Sequence, residues 1–268
     1  MLDDRIVLIT GASSGFGKLT LSLLAERGFR AFGTSRKAAG GKQDGVEMLR
    51  LDITSDESVR TCVSSLLQKA GRIDVLVNNA GQALTGGLEE TSLDEAKAHL
   101  DSNLFGAVRL VNAVLPGMRK RRSGQIINVA SIAGTFPVPF EGYYGMAKAA
   151  LMAYSDVLRQ EVKSFGIKVS VVEPGFFRTN LADARTRAAN PISDYDEVRE
   201  RATSALEESF NNGGDPKEVA QTIMKIIQRP SPALHYPVGK EKRYLFLKRI
   251  MPASTMESRA RKHWRLDG

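Results

Sequence analysis

The sequence predicts an α/β domain in which a mostly parallel sheet is covered by helices on both faces. Three observations predict it. Short β-branched runs alternate with amphipathic segments from Ile6 to Val172, an order that produces parallel strands joined by crossover helices. A glycine-rich turn follows the first such run directly. The chain has 268 residues, 42% hydrophobic and 25% charged, enough for one large core and unlike either a disordered chain or a membrane bundle.

The first strand is the apolar run Ile6–Ile9. A helix follows at 18–27, with Leu19, Leu23 and Leu24 at helical spacing and Gly28 as its stop. Strands are expected at 29–34 and 47–51, then a helix at 56–69 that aligns Val59, Val63, Leu66 and Leu67, then a strand at 75–77. One long helical pattern covers 93–115. A strand at 125–129, a helix at 144–162 and a strand at 168–172 continue the alternation. Residues 176–214 interrupt it, being polar and broken by Pro191 and Gly213-Gly214, with one candidate helix at 197–210. A lid over a site and an irregular surface excursion both fit that stretch. Helical spacing resumes at 220–227, and 234–237 can form a last strand. No repeat, low-complexity tract or sustained heptad series appears.

Cys62 is the sole cysteine, so no intrachain disulfide can form, and a reducing, cytoplasmic setting is expected. No long apolar stretch precedes Ile6, which disfavours secretion. The formal net charge is +8, concentrated in two places: Arg119 to Arg122, and the last 29 residues, which hold nine Lys or Arg against three acids. A solubilising role is the favoured reading, with attraction to an anionic surface as the alternative. No nucleic-acid recognition motif accompanies either cluster.

Two patterns carry chemistry. The first is Thr10-Gly11-Ala12-Ser13-Ser14-Gly15-Phe16-Gly17, set between a strand and a helix. Glycines there allow a tight turn and close backbone approach, and the helix N-terminus offers N–H groups to a pyrophosphate. The second is Tyr144 with Lys148, four residues apart and therefore on one helix face. A phenol with a pKa of about 10 is a poor base near neutrality, and an ammonium beside it favours ionisation. Tyr143 is the rival phenol, but the residue four later is Ala147.

Together with Asn78-Asn79-Ala80-Gly81, Ser131 and Pro174-Gly175, these patterns occur in an order that resembles the short-chain dehydrogenase/reductase family over roughly residues 6–180, and more weakly its steroid and retinoid dehydrogenase members. The resemblance implies a Rossmann-type three-layer sandwich with a central, mostly parallel seven-stranded sheet. It further implies a nicotinamide cofactor, hydride transfer at a carbonyl or alcohol carbon, no metal, and a homodimer or homotetramer. Asn103, Ser131, Tyr144 and Lys148 are then the expected catalytic set. Ser131 and Tyr144 hold the reacting oxygen, Lys148 holds the nicotinamide ribose, and Asn103 supports a water-linked proton path. Gly11, Ser13, Ser14, Gly15, Phe16, Gly17, Asn79, Ala80, Gly81, Tyr144, Lys148, Pro174, Gly175 and Thr179 are expected to contact the cofactor. Asp52 and Ile53 are expected at the adenine, although Asp52 could instead cap the helix beginning near Asp56. After the second strand stands Ser35-Arg36 rather than an acid, so NADP(H) is favoured through a 2′-phosphate on Arg36 and Ser35, with NAD(H) as the alternative.

The expected division is a Rossmann-fold catalytic domain over 1–240, including a substrate loop at 176–214, and a basic tail over 241–268. Gln82, Leu84, Ile132, Ala133, residues 136–140, Tyr143, Phe176 and Phe177 are the candidate pocket wall, able to bury a lipophilic carbonyl compound or alcohol, or else to pack on the domain itself. The tail carries Tyr244-Leu245-Phe246-Leu247, Ile250, Met251, Trp264 and Leu266 among basic residues. Docking against the protein is favoured for it over a second subunit or peripheral membrane contact. The leading functional expectation is an NADP(H)-dependent oxidoreductase of a lipophilic carbonyl or secondary alcohol. The alternatives are an NAD-dependent dehydrogenase of a small polar alcohol and a non-catalytic cofactor-binding sensor.

Overall fold

A computed structural model describes residues 4–38, 41–43, 46–179 and 185–267. Residues 180–184 of the expected 176–214 loop, the ends of the two expected segments at 1–3 and 268, and the Phe246 side chain lie outside the described residues.

The strands are β1 (Ile6–Ile9), β2 (Arg30–Ser35), β3 (Gly41–Gln43), β4 (Val46–Arg50), β5 (Val75–Asn78), β6 (Leu84–Thr85), β7 (Gly124–Val129), β8 (Ile167–Pro174), β9 (Thr186–Arg187) and β10 (His235–Val238). The main sheet has the order β10-β8-β7-β5-β1-β2-β4-β3. From β10 to β4 every neighbouring pair is parallel, which is the predicted sheet. The short β3 adds an antiparallel edge beyond it. β1 lies between β2 and β5, so the chain's winding direction reverses there and opens a crevice beyond the strand C-termini.

Both faces of β1 are buried, and neighbouring residues go to opposite cores. Ile6 and Leu8 join Leu76, Ile126 and Val169 under α2 (Asp56–Ala70), α4 (Gly106–Arg121) and α5 (Gly142–Val162). Val7 and Ile9 join Val77, Ile127 and Val172 under α1 (Gly15–Glu26) and α7 (Lys217–Gln228). This is why the strands read as continuous apolar runs rather than as alternating ones.

The expected helix at 93–115 is divided. α3 (Leu93–Leu100) opens with a capping box between Ser92 and Glu95, and a π-helical turn, Asp101–Phe105, separates it from α4. Asn103 supplies the reason: its side-chain amide donates to the His99 carbonyl at 3.1 Å, the acceptor an ordinary α-helical N–H would use. The following N–H groups reach one residue further back, as Gly106 does to the Asp101 carbonyl. α4 then continues through Pro116, whose exposed position confines the lost backbone bond to the solvent side.

Inside the irregular region, α6 (Asp196–Asn211) realises the expected helix, and β9 pairs in parallel with β6. The Glu90 carboxylate, 2% exposed, accepts from the Gly87 and Ile192 backbone and pairs with Arg199, tying the segment to the body. At the C-terminus α8 (Lys242–Ile250) and α9 (Ala253–His263) precede Trp264, which is buried against Ala133, Val138, Ala205 and Leu206. Among the described residues no helix is long and apolar enough to cross a membrane.

One buried polar chain crosses the core. Asn78 on β5 donates to Asn128 on β7 at 2.9 Å, and Asn128 donates to the Ser155 hydroxyl on α5 at 2.8 Å. Replacing Asn128 by Ala removes an acceptor and a donor at once. We expect Asn128→Ala to lose about 2 kcal/mol in denaturant unfolding with an unchanged slope. A loss below about 0.5 kcal/mol would show that the chain does not bear on stability.

Candidate active site

The glycine-rich turn is held by side-chain hydrogen bonds from its own strand and the neighbouring one. The Thr10 hydroxyl accepts from the backbone N–H of Asn79 at 3.0 Å and of Ala80 at 2.9 Å. The Asn79 amide donates back to the carbonyls of Thr10 and Gly11 at 3.0 and 3.1 Å. Gly11 has φ +64°, and a Cβ there would lie 2.8 Å from Ala80 Cα. At Gly17 a Cβ would come within 2.4 Å of the Gly11 carbonyl oxygen, so this glycine serves close packing of α1.

Above the turn lies a cleft of about 480 Å³. Gly11, Ser13, Ser14, Gly15 and Phe16 line one wall, with Asn79, Ala80 and Gly81 beside them and Thr179 opposite. Gly15 has φ +52° and nothing within 4 Å of where a Cβ would project. Ser14 makes no side-chain cap to α1, so the first-turn N–H groups there are not satisfied by it. An open glycine cradle at an uncapped helix N-terminus fits the pyrophosphate of a dinucleotide. Gly17 packs beneath the turn, and Pro174 and Gly175 line the adjoining smaller pocket together with Tyr144 and Thr179.

At the far end of the cleft are Ser35, Arg36, Asp52 and Ile53. Arg36 is exposed and makes no ion pair among the described residues. Asp52 accepts from the Thr54 N–H at 3.0 Å and the Thr54 hydroxyl at 2.7 Å, which hold its carboxyl below the usual range, with further help from Arg36 and Arg109. The capping alternative for Asp52 is corrected: Ser55 caps α2 by accepting from the Ser58 N–H. Ile53 packs on Gly106, where a Cβ would be 2.8 Å from its Cδ1.

At the near end the structure brings Asn103, Ser131, Tyr144 and Lys148 together. Lys148 is buried and donates from Nζ to the Val129 carbonyl at the end of β7, at 3.0 Å. Burial brings its ammonium down to about 8. Nζ lies 5.7 Å from the Tyr144 ring centroid. The Ser131 hydroxyl accepts from the Ala133 N–H at 3.1 Å and lies close enough to Tyr144 to act on its phenol. Burial and the Glu141 carboxylate push the Tyr144 phenol up to about 12, while Ser131 and Arg185 pull the other way. The phenol is therefore protonated at neutral pH. Asn103 Oδ1 accepts from the Gln82 N–H at 3.2 Å, and a Cβ on Gly81 would meet that oxygen at 2.7 Å and Lys148 Nζ at 3.5 Å.

Tyr144 also borders a second, enclosed pocket of about 40 Å³. Ile132, Ala133, Val138, Phe176 and Phe177 line it as expected, joined by Ala83 and Phe210. Leu84, Phe136, Pro137, Pro139, Phe140 and Tyr143 do not; for the four at 136–140, in a loop without strand or helix period, apolar character does not say which way a side chain turns. Gln82 lies in the larger cleft. Phe177 is 1% exposed and meets Phe16 edge-on at 5.6 Å, so it belongs as much to the core as to the pocket. Phe176 meets Phe210 at 5.1 Å and Trp264 at 6.1 Å, which brings the C-terminal segment onto this side of the molecule.

Three groups in the site escaped the sequence reading. His99 packs edge-on to Tyr144 at 6.2 Å, and burial, with Lys148 nearby, lowers its imidazole to about 4, so it is neutral. Its spacing of four from Asn103 was a usable signal. Glu141, three residues before Tyr144, and Arg185 both line the enclosed pocket. Glu141 shares the first turn of Tyr144, whereas nothing local marks Arg185.

The family model described as short chain dehydrogenase matches residues 5–190. The chain is 41% identical to 3-ketodihydrosphingosine reductase of Bacteroides thetaiotaomicron, over 92% of each chain. It is 37% identical to human retinol dehydrogenase 8, covering 86% of this chain and 80% of that one. Among solved structures, a short-chain dehydrogenase from Streptomyces avermitilis superposes with a TM-score of 0.82 at 31% identity, over 98% of this chain and 96% of that one. With this fold, this order of motifs and these relatives, the chain belongs to the short-chain dehydrogenase/reductase family and is an NAD(P)-dependent oxidoreductase of a small organic substrate.

Proposed function

We propose that the chain is an NADP(H)-dependent reductase of a lipophilic ketone, able to oxidise the corresponding secondary alcohol in reverse, with 3-ketodihydrosphingosine as the first substrate to test. The observation that carries this reading is the position of Tyr144, whose side chain borders both the large cleft and the apolar pocket. A protonated phenol is the form that a carbonyl reduction requires, because the developing alkoxide must receive a proton.

Gly11, Ser13, Ser14, Gly15 and Phe16 would hold the pyrophosphate, Lys148 the nicotinamide ribose, and Thr179 with Pro174-Gly175 the nicotinamide side. When bound, the nicotinamide supplies or accepts the hydride. Ser131 and Tyr144 orient the substrate oxygen between them, and Tyr144 donates its proton to that oxygen. Asn103 keeps the π turn open beside Gly81 and Lys148, where it can support proton return toward the ammonium. Phe176, Phe177, Phe210 and Val138 exclude water from the reacting carbon.

Arg36 and Ser35 support the choice of NADP(H). No carboxylate follows β2 to receive ribose hydroxyls, the Arg36 guanidinium is uncommitted to any ion pair among the described residues, and Ser35 is adjacent to it. The apolar pocket wall supports a lipophilic substrate, as do the names of the ketodihydrosphingosine and retinol relatives. A homodimer or homotetramer through α4 and α5 is part of the reading, supported by exposed Met146 and Val157 on α5 and by Phe105 just before α4.

Tyr144→Phe is expected to lower kcat for ketone reduction by at least about a hundredfold, with much less change in NADPH dissociation constant measured by fluorescence. Near-normal turnover by the folded variant would contradict the proton assignment. Arg36→Ala is expected to weaken NADPH binding by about tenfold or more while leaving NADH within about twofold; equal loss for both cofactors would remove the phosphate role and favour an NAD-dependent enzyme.

A further inference from the structure

The enclosed pocket is not uniformly apolar. Glu141 and Arg185 face into it, with side chains 4% and 8% exposed. Arg185 Nε lies 3.5 Å from Glu141 Oε1, close enough for charge attraction, yet no hydrogen bond joins them. Among the described residues, six buried side-chain polar atoms have no hydrogen-bond partner, and three of these are Glu141 Oε1, Arg185 Nε and Arg185 Nη2. Buried polar atoms are almost always paired, with protein or with ordered water, so three such atoms in one cavity mark a place for a hydrogen-bonding group.

Both side chains stand on fixed backbone. The Glu141 N–H donates to the Val138 carbonyl, and its own carbonyl accepts from Gly145 in the first turn of α5. Arg185 directly precedes β9, where the Thr186 N–H donates to Ala83 and the Ala188 N–H to Thr85. The guanidinium rests on the face of Phe210, 4.6 Å from its centroid. Glu141 is three residues before Tyr144 on the same helical face, and its charge is felt at the phenol.

We propose that Glu141 and Arg185 together bind a hydroxyl group carried by the substrate close to the carbonyl that Tyr144 serves, so that the preferred substrates are hydroxyketones with an apolar remainder. This rests on the ketone-reductase reading above. The pair presents an orphan acceptor and orphan donors to the same small space. An ammonium group would satisfy Glu141 and be repelled by Arg185, and a carboxylate would do the reverse. A hydroxyl donates one proton and accepts through its lone pairs, so it answers both. Burial brings the Glu141 carboxyl up to about 7, and a hydroxyl also suits its protonated form by accepting from it.

The test compares catalytic efficiency (kcat/KM) on three ketones at saturating NADPH: 3-decanone, 1-hydroxy-3-decanone and 1-amino-3-decanone. It does so in the wild type and in Glu141→Met and Arg185→Met. The wild type is expected to favour the hydroxyketone over the plain ketone by at least about tenfold, and over the aminoketone as well. Each substitution is expected to bring the hydroxyl-to-plain ratio to within about twofold of one. NADPH binding by fluorescence identifies folded variants, and the wild-type ratio decides alone if neither folds. Equal reduction of the hydroxyketone and the plain ketone by the wild type would overturn the hydroxyl site and leave the reductase reading intact. A preference for the aminoketone, or a hydroxyl preference that survives both substitutions, would also overturn it. Reduction of none of the three ketones by protein that binds NADPH would overturn the ketone-reductase reading and this proposal together.

Discussion

The site depends on a buried ammonium. Lys148 has left water and meets the Val129 carbonyl at the end of β7, and this bond fixes how α5 lies across the sheet's C-terminal edge. An unpaired ammonium in that position would be costly, so the helix cannot slide without losing its acceptor. The same face of α5 runs from Glu141 and Tyr144 through Lys148 to Leu151, Ser155, Leu158 and Val162. Its first half presents polar groups to the cavities and its second half packs into the core. Ser155 closes the arrangement by accepting from Asn128, whose oxygen receives the Asn78 amide. One helical stripe therefore sets both the register of the core and the position of the phenol.

The phenol stands where two unlike environments meet. On one side the cleft offers backbone donors at the α1 N-terminus, an open glycine and Arg36. On the other lies a small apolar enclosure with one buried ion pair. Burial and Glu141 favour the neutral phenol, against Ser131 and Arg185. His99 adds a neutral ring at the edge of Tyr144 rather than a charge. Burial thus raises the Tyr144 phenol and lowers the Lys148 ammonium, so each favours its neutral form more than it would in water.

Much of this was legible in the residues. Continuous apolar runs marked the buried parallel strands, and the spacing of Tyr144 and Lys148 placed both on one helical face. The turn glycines were legible because each backbone demand, positive φ at Gly11 and close packing at Gly17, excludes other side chains. What escaped depended on distant contacts. The π turn exists because the Asn103 amide occupies a backbone acceptor, which no hydrophobic period reports. Arg185 acquires meaning only when β9 pairs with β6 and brings it to Glu141. The apolar loop at 136–140 suggested a pocket wall, yet Val138 alone of that stretch lines the pocket while Phe136 turns toward Tyr244. The C-terminal segment read as a basic tail, and its one tryptophan fills a hydrophobic cluster that includes Phe176 and Phe210.

A crystal structure of the ternary complex with NADP⁺ and a ketone substrate tests the central claim most directly. The account predicts the Tyr144 and Ser131 hydroxyls both at roughly 2.6–3.2 Å from the ketone oxygen, with Lys148 still against the Val129 carbonyl. A ketone oxygen held by other groups, with the Tyr144 hydroxyl turned away from it, would contradict the account.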